Sequence, residues 1–152
     1  MPSSAHFIVR PLAESDRDEW RRLWTGYLEF YESTVPEEVY QATFDRLLSD
    51  DPWMPSAFVA DTGKDRLIGL VHYLFHSHCW RIERECYLQD LFTDPNQRGS
   101  GVGRALIEAV YDQADRAGGG NVYWLTQEFN QTARGLYDRI ATVTPFIKYA
   151  RQ

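Results

Sequence analysis

The chain has only two cysteines, Cys79 and Cys86, and no long run of apolar residues. Two cysteines are too few for a disulfide framework, and free thiols are typical of a reducing cytoplasm. No segment reaches the length needed to span a bilayer, and the N-terminus lacks the basic and then apolar stretch of a secretory leader. These features predict a cytoplasmic protein without a membrane partner.

Positive charge is also scarce. The 16 lysines and arginines are outnumbered by 22 aspartates and glutamates, which gives a formal net charge of −6. Because no basic stripe exists to neutralise phosphates, we expect no nucleic-acid partner. The acidic balance is compatible with a cationic substrate.

What the chain does have is the composition of one globular domain. It contains 152 residues, of which 43% are hydrophobic and 25% are charged. A chain of this size buries a sizeable core without disulfides or metals. There are no repeats, low-complexity tracts or internal linkers, so the sequence predicts a single domain over residues 1–152.

Hydrophobic periodicity predicts an α/β protein. A first helix, capped by Ser15 or Asp16, carries apolar residues at helical spacing from Trp20 to Tyr31, and a second helix starts at Pro36. A third helix follows residue 101 and ends at three consecutive glycines, and a last helix follows residue 130. The predicted strands are residues 7–10, 57–60, 67–75, 85–93, 122–125 and 146–149, and the last of these closes the predicted sheet.

The most informative stretch is Arg98-Gly99-Ser100-Gly101-Val102-Gly103-Arg104, which joins a predicted strand to a predicted helix. Three glycines at alternate positions remove the Cβ atoms from this turn, so a ligand can approach the backbone closely. The first N–H groups of the helix have no partners, and the helix dipole favours negative charge there. The pattern predicts a phosphate or pyrophosphate site, although a tight connection without a ligand remains an alternative.

Known nucleotide fingerprints do not fit this loop. A P-loop needs Lys-Ser or Lys-Thr after its last glycine, and the chain has neither there. Dinucleotide folds use Gly-x-Gly-x-x-Gly near the start of the domain, whereas here the spacing is Gly-x-Gly-x-Gly and 98 residues precede it. The anion site must therefore serve another class of ligand.

The loop resembles the acyl-CoA loop of the GNAT family of N-acetyltransferases, whose Arg/Gln-x-x-Gly-x-Gly/Ala pattern is filled by Arg98, Gly101 and Gly103. A second block, Asn130-Gln131-Thr132-Ala133-Arg134-Gly135-Leu136-Tyr137, resembles the Asn-x-x-Ala-x-x-x-Tyr signature of the same family. The stretch 87–93 is most similar to the Hpa2-like, polyamine-acetylating branch. The resemblance implies the acyl-CoA N-acyltransferase fold, a mixed central sheet with helices on both faces in the order β-α-α-β-β-β-α-β-α-β, and two strands that part to form a cleft.

The resemblance also implies acetyl-CoA as co-substrate and no metal. Backbone groups of one strand would run beside the pantetheine arm, and the glycine loop would grip the pyrophosphate. Asn130 would bond the pantetheine arm, or its side chain would cap the last helix. The implied acetyl-CoA-binding residues are Leu91, Phe92, Thr93, Arg98, Gly99, Ser100, Gly101, Val102, Gly103, Arg104, Asn130, Ala133 and Tyr137.

Acetyl transfer to an amine needs a base for the nitrogen and an acid for the leaving thiolate. The resemblance makes Tyr137 the general acid, although it also fits an apolar stripe of the last helix. For the base, Glu85 and Asp90 match acidic positions in different branches, and a water is the third option. Gln89 stands where the polyamine branch has a glutamate. Strand alternation places Glu85, Gln89 and Leu91 on one face and Asp90 on the other, unless a bulge intervenes.

We expect the acceptor amine to bind among aromatic and acidic residues of the first two helices and their connection, through charge and cation–π contacts. A core role for the tyrosines is the alternative. The predicted acceptor residues are Tyr27, Glu29, Tyr31, Glu32 and Gln89, with Phe30 and Trp53 nearby.

Three histidines, His72, His76 and His78, alternate along one predicted strand and end beside Cys79. We do not expect these residues to bind zinc, because no acidic residue can be named that would support the ligands. The resemblance also implies a family that needs no metal. Packing is the simpler role for these side chains.

These observations predict an enzyme that moves the acetyl group of acetyl-CoA to a primary amine in a ternary complex. A polyamine, a free amino acid and a protein lysine all remain open as acceptors. A non-catalytic acyl-CoA-binding module is the competing hypothesis. A short final strand and exposed aromatic residues further predict a homodimer.

Overall fold

The computed structural model describes residues 6–152 and confirms the α/β class. The strands are β1 (Ile8–Pro11), β2 (Ser56–Asp61), β3 (Leu67–His76), β4 (Glu85–Thr93) and β5 (Val122–Tyr123). The helices are α1 (Arg17–Phe30), α2 (Glu37–Leu47), α3 (Val102–Arg116) and α4 (Gln131–Ile140). No helix of this range is long and apolar enough to cross a membrane.

The sheet is mixed and has the order β1-β2-β3-β4-β5. The first four strands pair antiparallel in sequence order, and β5 pairs parallel to β4. This parallel pairing joins only Cys86 to Val122 and Tyr87 to Tyr123, while β4 continues to Thr93. The two strands therefore part beyond Tyr87, as the resemblance implied, and leave one edge of β4 unpaired.

Helices cover both faces of the sheet, as expected. On one face, α1 and α2 bury an aromatic core in which Trp20 stacks on Trp24 at 5.3 Å and contacts Phe44 at 5.1 Å, measured between ring centroids. On the other face, α3 packs so close to β3 that a Cβ on Gly69 would lie 2.7 Å from Val102 Cγ1. This close approach fixes the start of α3 against the sheet.

The predicted final strand is wrong for the single chain. Residues after Ala141 form no strand, and Phe146, Ile147 and Tyr149 are exposed. A strand needs a neighbouring edge for its N–H and C=O groups, and this segment does not return to the edge of its own β5. The predicted strand 122–125 is likewise shortened to Val122–Tyr123, because the chain leaves β4 there.

Candidate active site

The glycine loop has the geometry of an anion site. Gly99 and Gly101 have φ values of +83° and +85°, in the left-handed region that favours glycine. Nothing lies within 4 Å of a Cβ built on either residue, so this side of the loop faces open space. The first intrahelical bond of α3 runs from Ala105 N to Gly101 O at 3.0 Å, and the N–H groups of Val102, Gly103 and Arg104 precede it. No acidic residue occupies the first turn.

The structure separates the two arginines of the loop. Arg104 is paired with Glu108 at 2.8 Å on the exposed face of α3. Arg98 has no carboxylate within ion-pair distance in the described range, and its guanidinium lies 5.8 Å from the centroid of the Phe30 ring. The Ser100 hydroxyl donates to the carbonyl of Gln97 and ties the loop to itself. Arg98 is therefore the cation available to a bound phosphate.

The parting of β4 and β5 places the remaining acyl-CoA candidates along one cleft. Leu91 and Thr93 are half-buried on the part of β4 that pairs with β3 but not with β5, and the Phe92 side chain fills the core against α1. Asn130 stands at the start of α4 but makes no side-chain cap, and its Nδ2 lies 3.5 Å from Thr126 Oγ1. The Asn130 side-chain amide therefore does not cap α4 and is available to a ligand.

Tyr137 and Ala133 lie on α4, on the other side of this cleft. The Tyr137 ring packs edge-on against Trp124, with the centroids 5.3 Å apart. Burial raises the pKa of the phenol to about 12, with a smaller contribution from Tyr31. At neutral pH the phenol therefore keeps its proton. Tyr31, which directly follows α1, is close enough to Tyr137 for its charge to raise this pKa further.

A β-bulge decides which residues of β4 face α1. Asp90 pairs with His72 and Leu88 with Tyr73, so Gln89 is an extra residue that opposes no partner. The bulge reverses the alternation expected from the sequence. Asp90 points toward α1, and the exposed Gln89 lies in the bulge itself.

Asp90 is the end of a buried chain of hydrogen bonds. The Trp20 indole Nε1–H donates to His72 Nε2 at 3.0 Å, and His72 Nδ1 is 2.8 Å from Asp90 Oδ2. Since Nε2 accepts, the proton of a neutral imidazole sits on Nδ1 and is donated to the carboxylate. Both His72 and Asp90 are buried. This chain of hydrogen bonds therefore fixes the tautomer of His72 and the orientation of the Asp90 carboxylate.

This carboxylate is held in its charged form. Burial raises the pKa of Asp90, but the hydrogen bond and the charge of His72, with smaller contributions from the nearby polar groups of Tyr27 and Trp24, outweigh burial, so the pKa lies below its usual value. The Trp24 indole nitrogen is itself buried without a hydrogen-bond partner. A charged group at this depth is costly unless it is paired or meets a ligand.

Three tyrosines surround Asp90. Burial, and then the charge of Asp90, raise the pKa values of Tyr27, Tyr31 and Tyr87. Their phenols therefore remain protonated donors beside an anion. The rings of Tyr27 and Tyr31 meet edge to face at 5.0 Å, and Tyr87 stacks on Tyr123 at 4.9 Å. We call Asp90 with Tyr27, Tyr31 and Tyr87 the acceptor cluster.

Glu85, the other candidate base, lies at the opposite end of β4. Its Oε2 is 3.7 Å from His78 Nε2 and 3.8 Å from Arg81 Nη1, and it is buried without a hydrogen bond. Asp90 lies five positions further along the strand, roughly 15 Å away. Glu85 therefore lies at the start of β4, beside the β3–β4 turn, and does not belong to the acceptor cluster.

The two glutamates predicted beside the acceptor lie elsewhere. Glu29 lines a surface cavity of about 370 Å³ between α1 and the loop, together with Phe30 and Arg98. Glu32 is exposed and has a φ of +54° just after α1 ends. Of the predicted acceptor residues, Tyr27 and Tyr31 are the two that the structure places beside Asp90.

Sequence reasoning missed His72, Trp20 and Trp24 as parts of the site. A histidine within an apolar strand and tryptophans on an apolar helix face both resemble core packing. The signal that links them is the register of β3 against β4, which brings His72 opposite Asp90. That register depends on the bulge and is not visible in residue spacing.

The three histidines do not form one cluster. His72 contacts Trp20 and Asp90, whereas His76 Nε2 lies 2.8 Å from the Tyr123 hydroxyl and His78 lies near Glu85. Cys79 and Cys86 are both free thiols. Within residues 6–152 no three His, Cys, Asp or Glu side chains come together as a metal-binding group.

Comparisons with known proteins identify the family of the chain. The profile described as "Acetyltransferase (GNAT) family" matches residues 19–141. The D-amino-acid N-acetyltransferase HPA3 of Saccharomyces cerevisiae is 36% identical over 144 residues, which cover 95% of this chain and 89% of the yeast protein.

Solved structures support the same fold. A ribosomal-protein-alanine N-acetyltransferase from Brucella melitensis biovar Abortus 2308 superimposes with a TM-score of 0.79 at 20% identity, over 97% of this chain and 99% of that one. The acetyltransferase AAC(6')-Iy, solved with a CoA-based bisubstrate analogue, has a TM-score of 0.82 at 18% identity, over 97% and 98% of the two chains. The chain is an N-acetyltransferase and belongs to the GNAT family.

Proposed function

We propose that this enzyme transfers the acetyl group of acetyl-CoA directly to the primary amine of a small molecule, within a ternary complex. The observation that carries this proposal is the buried, charged Asp90 among tyrosines, at a cleft that the glycine loop also borders. One end of the cleft suits an anion and the other suits a cation.

The residues of the loop fit the pyrophosphate of acetyl-CoA. The open side of Gly99 and Gly101 and the free N–H groups at the start of α3 form a cradle that a Cβ would fill. Charge-assisted bonds from such N–H groups contribute about 1.5–3 kcal/mol each. Arg98 adds a cation beside them. The amide of Asn130 and the unpaired edge of β4 are available to the pantetheine arm.

The acceptor cluster fits an aliphatic ammonium group. Asp90 supplies a fixed negative charge, and the faces of Tyr27, Tyr31 and Tyr87 suit a cation through their quadrupoles. Because His72 and Trp20 hold the carboxylate from behind, binding does not require the site to reorganise. The acceptor nitrogen is thereby oriented toward the cleft.

The pKa of Asp90 decides between its two candidate roles. A lysine-like ammonium has a pKa near 10.4, whereas that of Asp90 lies below the ordinary 3.8. Complete proton transfer from the ammonium to Asp90 is uphill by more than about 6 pKa units, or about 8 kcal/mol. Asp90 therefore anchors the ammonium, and the nitrogen loses its proton to water at the cleft.

The chemical step joins the amine nitrogen to the thioester carbon and breaks the carbon–sulfur bond. The sulfur leaves as a thiolate, and Tyr137 donates a hydrogen bond to the negative charge that develops there. A pKa of about 12 keeps that proton available at every working pH. Direct attack is favoured over an acetyl-cysteine intermediate, because burial raises the pKa of the Cys86 thiol to about 12 and Cys79 lies in the exposed β3–β4 turn.

Among the acceptors left open by the sequence, we favour a free amino acid. The yeast relative named as a D-amino-acid N-acetyltransferase is 36% identical over nearly the whole chain. The phenol groups of the acceptor cluster are hydrogen-bond donors that suit the carboxylate of an amino acid. A polyamine or a lysine side chain would use Asp90 in the same way but would offer no carboxylate to the phenol groups of Tyr31 and Tyr87, which, unlike Tyr27, do not already bond to Asp90.

Thiol release from acetyl-CoA tests the function directly. The panel contains D- and L-amino acids, their carboxamides, spermidine and a lysine peptide. We expect turnover with amino acids and at least about tenfold lower kcat/KM with the matched carboxamides. Initial-rate lines that intersect support the ternary complex, and parallel lines contradict it. Equal rates for acids and carboxamides would contradict the amino-acid assignment, and no release with any amine would contradict catalysis.

A further inference from the structure

We infer that Asp94 is a positioning residue for the glycine loop, and that Arg22 of α1 acts on the loop through it. Asp94 directly follows β4, and a single turn of chain separates it from Arg98. It is only 5% exposed, although the loop that it leads into lies at the surface. A buried carboxylate is costly unless it is paired and hydrogen-bonded. The inference rests on the proposed function, in which this loop binds the pyrophosphate of acetyl-CoA.

The two carboxylate oxygens of Asp94 have different partners. Oδ1 accepts the backbone N–H of Asn96 at 3.0 Å, and the Asp94 carbonyl accepts that of Gln97 at 2.8 Å. These two bonds form a single turn of 3₁₀ helix. Oδ2 instead lies 3.3 Å from Arg22 Nη1 and 3.4 Å from Arg66 Nη2. One side chain therefore joins the turn that leads into the loop to guanidinium groups from other parts of the chain.

Arg22 is itself held in one geometry. Its Nε and Nη2 donate to the Glu19 carboxylate at 2.9 and 3.2 Å, and Nη2 also donates to the carbonyl of Leu67 at 2.7 Å. The Leu67 N–H in turn donates to Glu19 at 3.0 Å. Because the guanidinium is a planar fork, these bonds also fix the direction in which Nη1 meets Asp94. Helix α1 and the start of β3 thereby hold the end of β4.

The hydrogen bonds continue from Asp94 into the glycine loop. The 3₁₀ turn ends at Gln97, whose carbonyl accepts the hydroxyl of Ser100. Ser100 directly precedes Gly101, whose carbonyl accepts the first intrahelical bond of α3. A series of hydrogen-bonded residues therefore runs from α1 to the N–H groups that would bind the pyrophosphate.

The loop gains little support from packing. Residues 95–101 are all half-buried or exposed, and a Cβ on Gly99 or Gly101 would meet nothing within 4 Å. Glycine loses more conformational freedom on ordering than other residues do. If the free loop were not ordered, acetyl-CoA would have to order it on binding, and its affinity would fall. The bonds of Asp94 therefore stabilise the binding-competent loop before the ligand arrives.

The two arginines also offset the charge of Asp94. Arg22, Asp94 and Arg98 line the same surface cavity of about 370 Å³, so the carboxylate lies near the cation that we assign to the phosphate. An unpaired carboxylate there would repel an anionic ligand. Arg22 and Arg66, both within 3.4 Å of Oδ2, neutralise this charge while they hold the turn.

Calorimetric titration with CoA, together with initial rates at varied acetyl-CoA, tests the role of Asp94. Asp94→Ala removes both the cap of the turn and the link to Arg22. We expect the Kd for CoA and the KM for acetyl-CoA to rise about tenfold, the equivalent of one typical hydrogen bond. The kcat at saturating acetyl-CoA should change less than about twofold, because the bound ligand restores the loop. Asp94→Asn retains an acceptor for the N–H of Asn96 and should recover most of the affinity.

Arg22→Met tests the link to α1 and should raise the KM for acetyl-CoA about fivefold. Arg21→Met is the matched control on the same helix, because Arg21 donates to Glu37 at 2.7 Å in an exposed pair that joins α1 to α2. It should leave this KM unchanged. In hydrogen exchange without ligand, the amides of residues 96–104 should exchange faster in Arg22→Met than in Arg21→Met, and CoA should restore their protection.

Unchanged CoA affinity in Arg22→Met and Asp94→Ala would overturn the inference, and Arg22→Met decides the question alone where Asp94→Ala does not fold. An equal rise of the KM for acetyl-CoA in Arg21→Met would also overturn it, as would a loss of kcat at unchanged affinity. Failure of the proposed function gives a different result, because Gly101→Asp would then leave CoA affinity unchanged as well. A raised Kd in Gly101→Asp alone would contradict only the positioning role of Asp94.

Discussion

The two ends of the cleft are built from different parts of the chain. The glycine loop is one contiguous stretch that presents backbone N–H groups, and in the proposed function main-chain geometry and the start of α3 would hold its ligand. The acceptor cluster is made of side chains from α1 and β4, and His72 on β3 supports it. A site built from backbone N–H groups keeps its ligand affinity through most substitutions that leave its glycines in place. A site built from side chains loses affinity when any one of them is replaced.

This difference has a functional consequence. In the proposed function, the glycine loop must recognise the pyrophosphate of one invariant co-substrate, and a short loop suffices for that purpose. The acceptor end can change its specificity through single side chains without disturbing the fold. We therefore expect substitutions in the loop to change the KM for acetyl-CoA, and substitutions in the acceptor cluster to change kcat/KM for the amine.

The largest effect should come from Gly101→Asp. The new carboxylate would stand where the pyrophosphate binds, and the loss of two charge-assisted bonds costs about 3 kcal/mol or more, which raises the KM for acetyl-CoA by at least about 100-fold. Gly63→Asp is the matched control, since Gly63 has a φ of +80° and open space around it but lies in the β2–β3 turn. Equal effects of the two variants on the KM for acetyl-CoA would contradict the phosphate role.

Tyr137→Phe should have the next largest effect. It removes one hydroxyl with almost no loss of packing, and a general acid typically contributes 10²–10⁴ in rate. We expect kcat to fall by about 100-fold while the KM for acetyl-CoA changes less than about threefold, because the bond matters in the transition state. Normal turnover with a small change in Tm would assign Tyr137 to packing alone.

His72 should act on the acceptor end only through Asp90. His72→Phe removes the donor to the carboxylate, so the pKa of Asp90 should rise by about one to two units, the equivalent of one charge-assisted bond. Carboxyl-carbon NMR of Asp90 measures this titration. His72→Asn retains a donor and should recover most of the shift. An unchanged Asp90 titration in His72→Phe would exclude the positioning role.

The smallest effect concerns alkaline stability. The pKa of Tyr137 is about 12 when folded and near 10 when unfolded, so the unfolded chain releases this proton first as pH rises. The free energy of unfolding should therefore fall between pH 10 and 12, by about 1.4 kcal/mol per pH unit for this group. In urea titrations, Tyr137→Phe should flatten that slope, and Gly101→Asp should leave it unchanged. A slope unaltered by Tyr137→Phe would contradict the buried phenol.

The sequence predicted the local geometry of the glycine loop far better than the arrangement of the acceptor cluster. The loop 98–104 and the helices and strands beside it are local features, written in glycine spacing and hydrophobic period. The bulge at Gln89 is not local, because it is defined only by the pairing of β4 with β3. Strand alternation therefore left the face of Asp90 open, since a bulge would change it, and His72 was interpreted as packing.

The last strand of the sheet could not be predicted from the sequence either. Residues 146–149 have the composition of a strand, yet the structure leaves them unpaired because strand formation depends on an edge elsewhere. Composition identifies a segment that is able to pair, and topology decides with what it pairs.

The central claim is that Asp90, and not Glu85, binds the acceptor amine. Initial rates with both substrates varied, for Asp90→Asn and for the matched control Glu85→Gln, test it most directly. Loss of one partner of a buried charge pair costs about 2–5 kcal/mol, so Asp90→Asn should lower kcat/KM for the amine by at least about 30-fold. The KM for acetyl-CoA should change less than about twofold in both variants, and Glu85→Gln should retain kcat/KM for the amine. A severe loss in Glu85→Gln together with near-normal amine kinetics in Asp90→Asn would contradict the account.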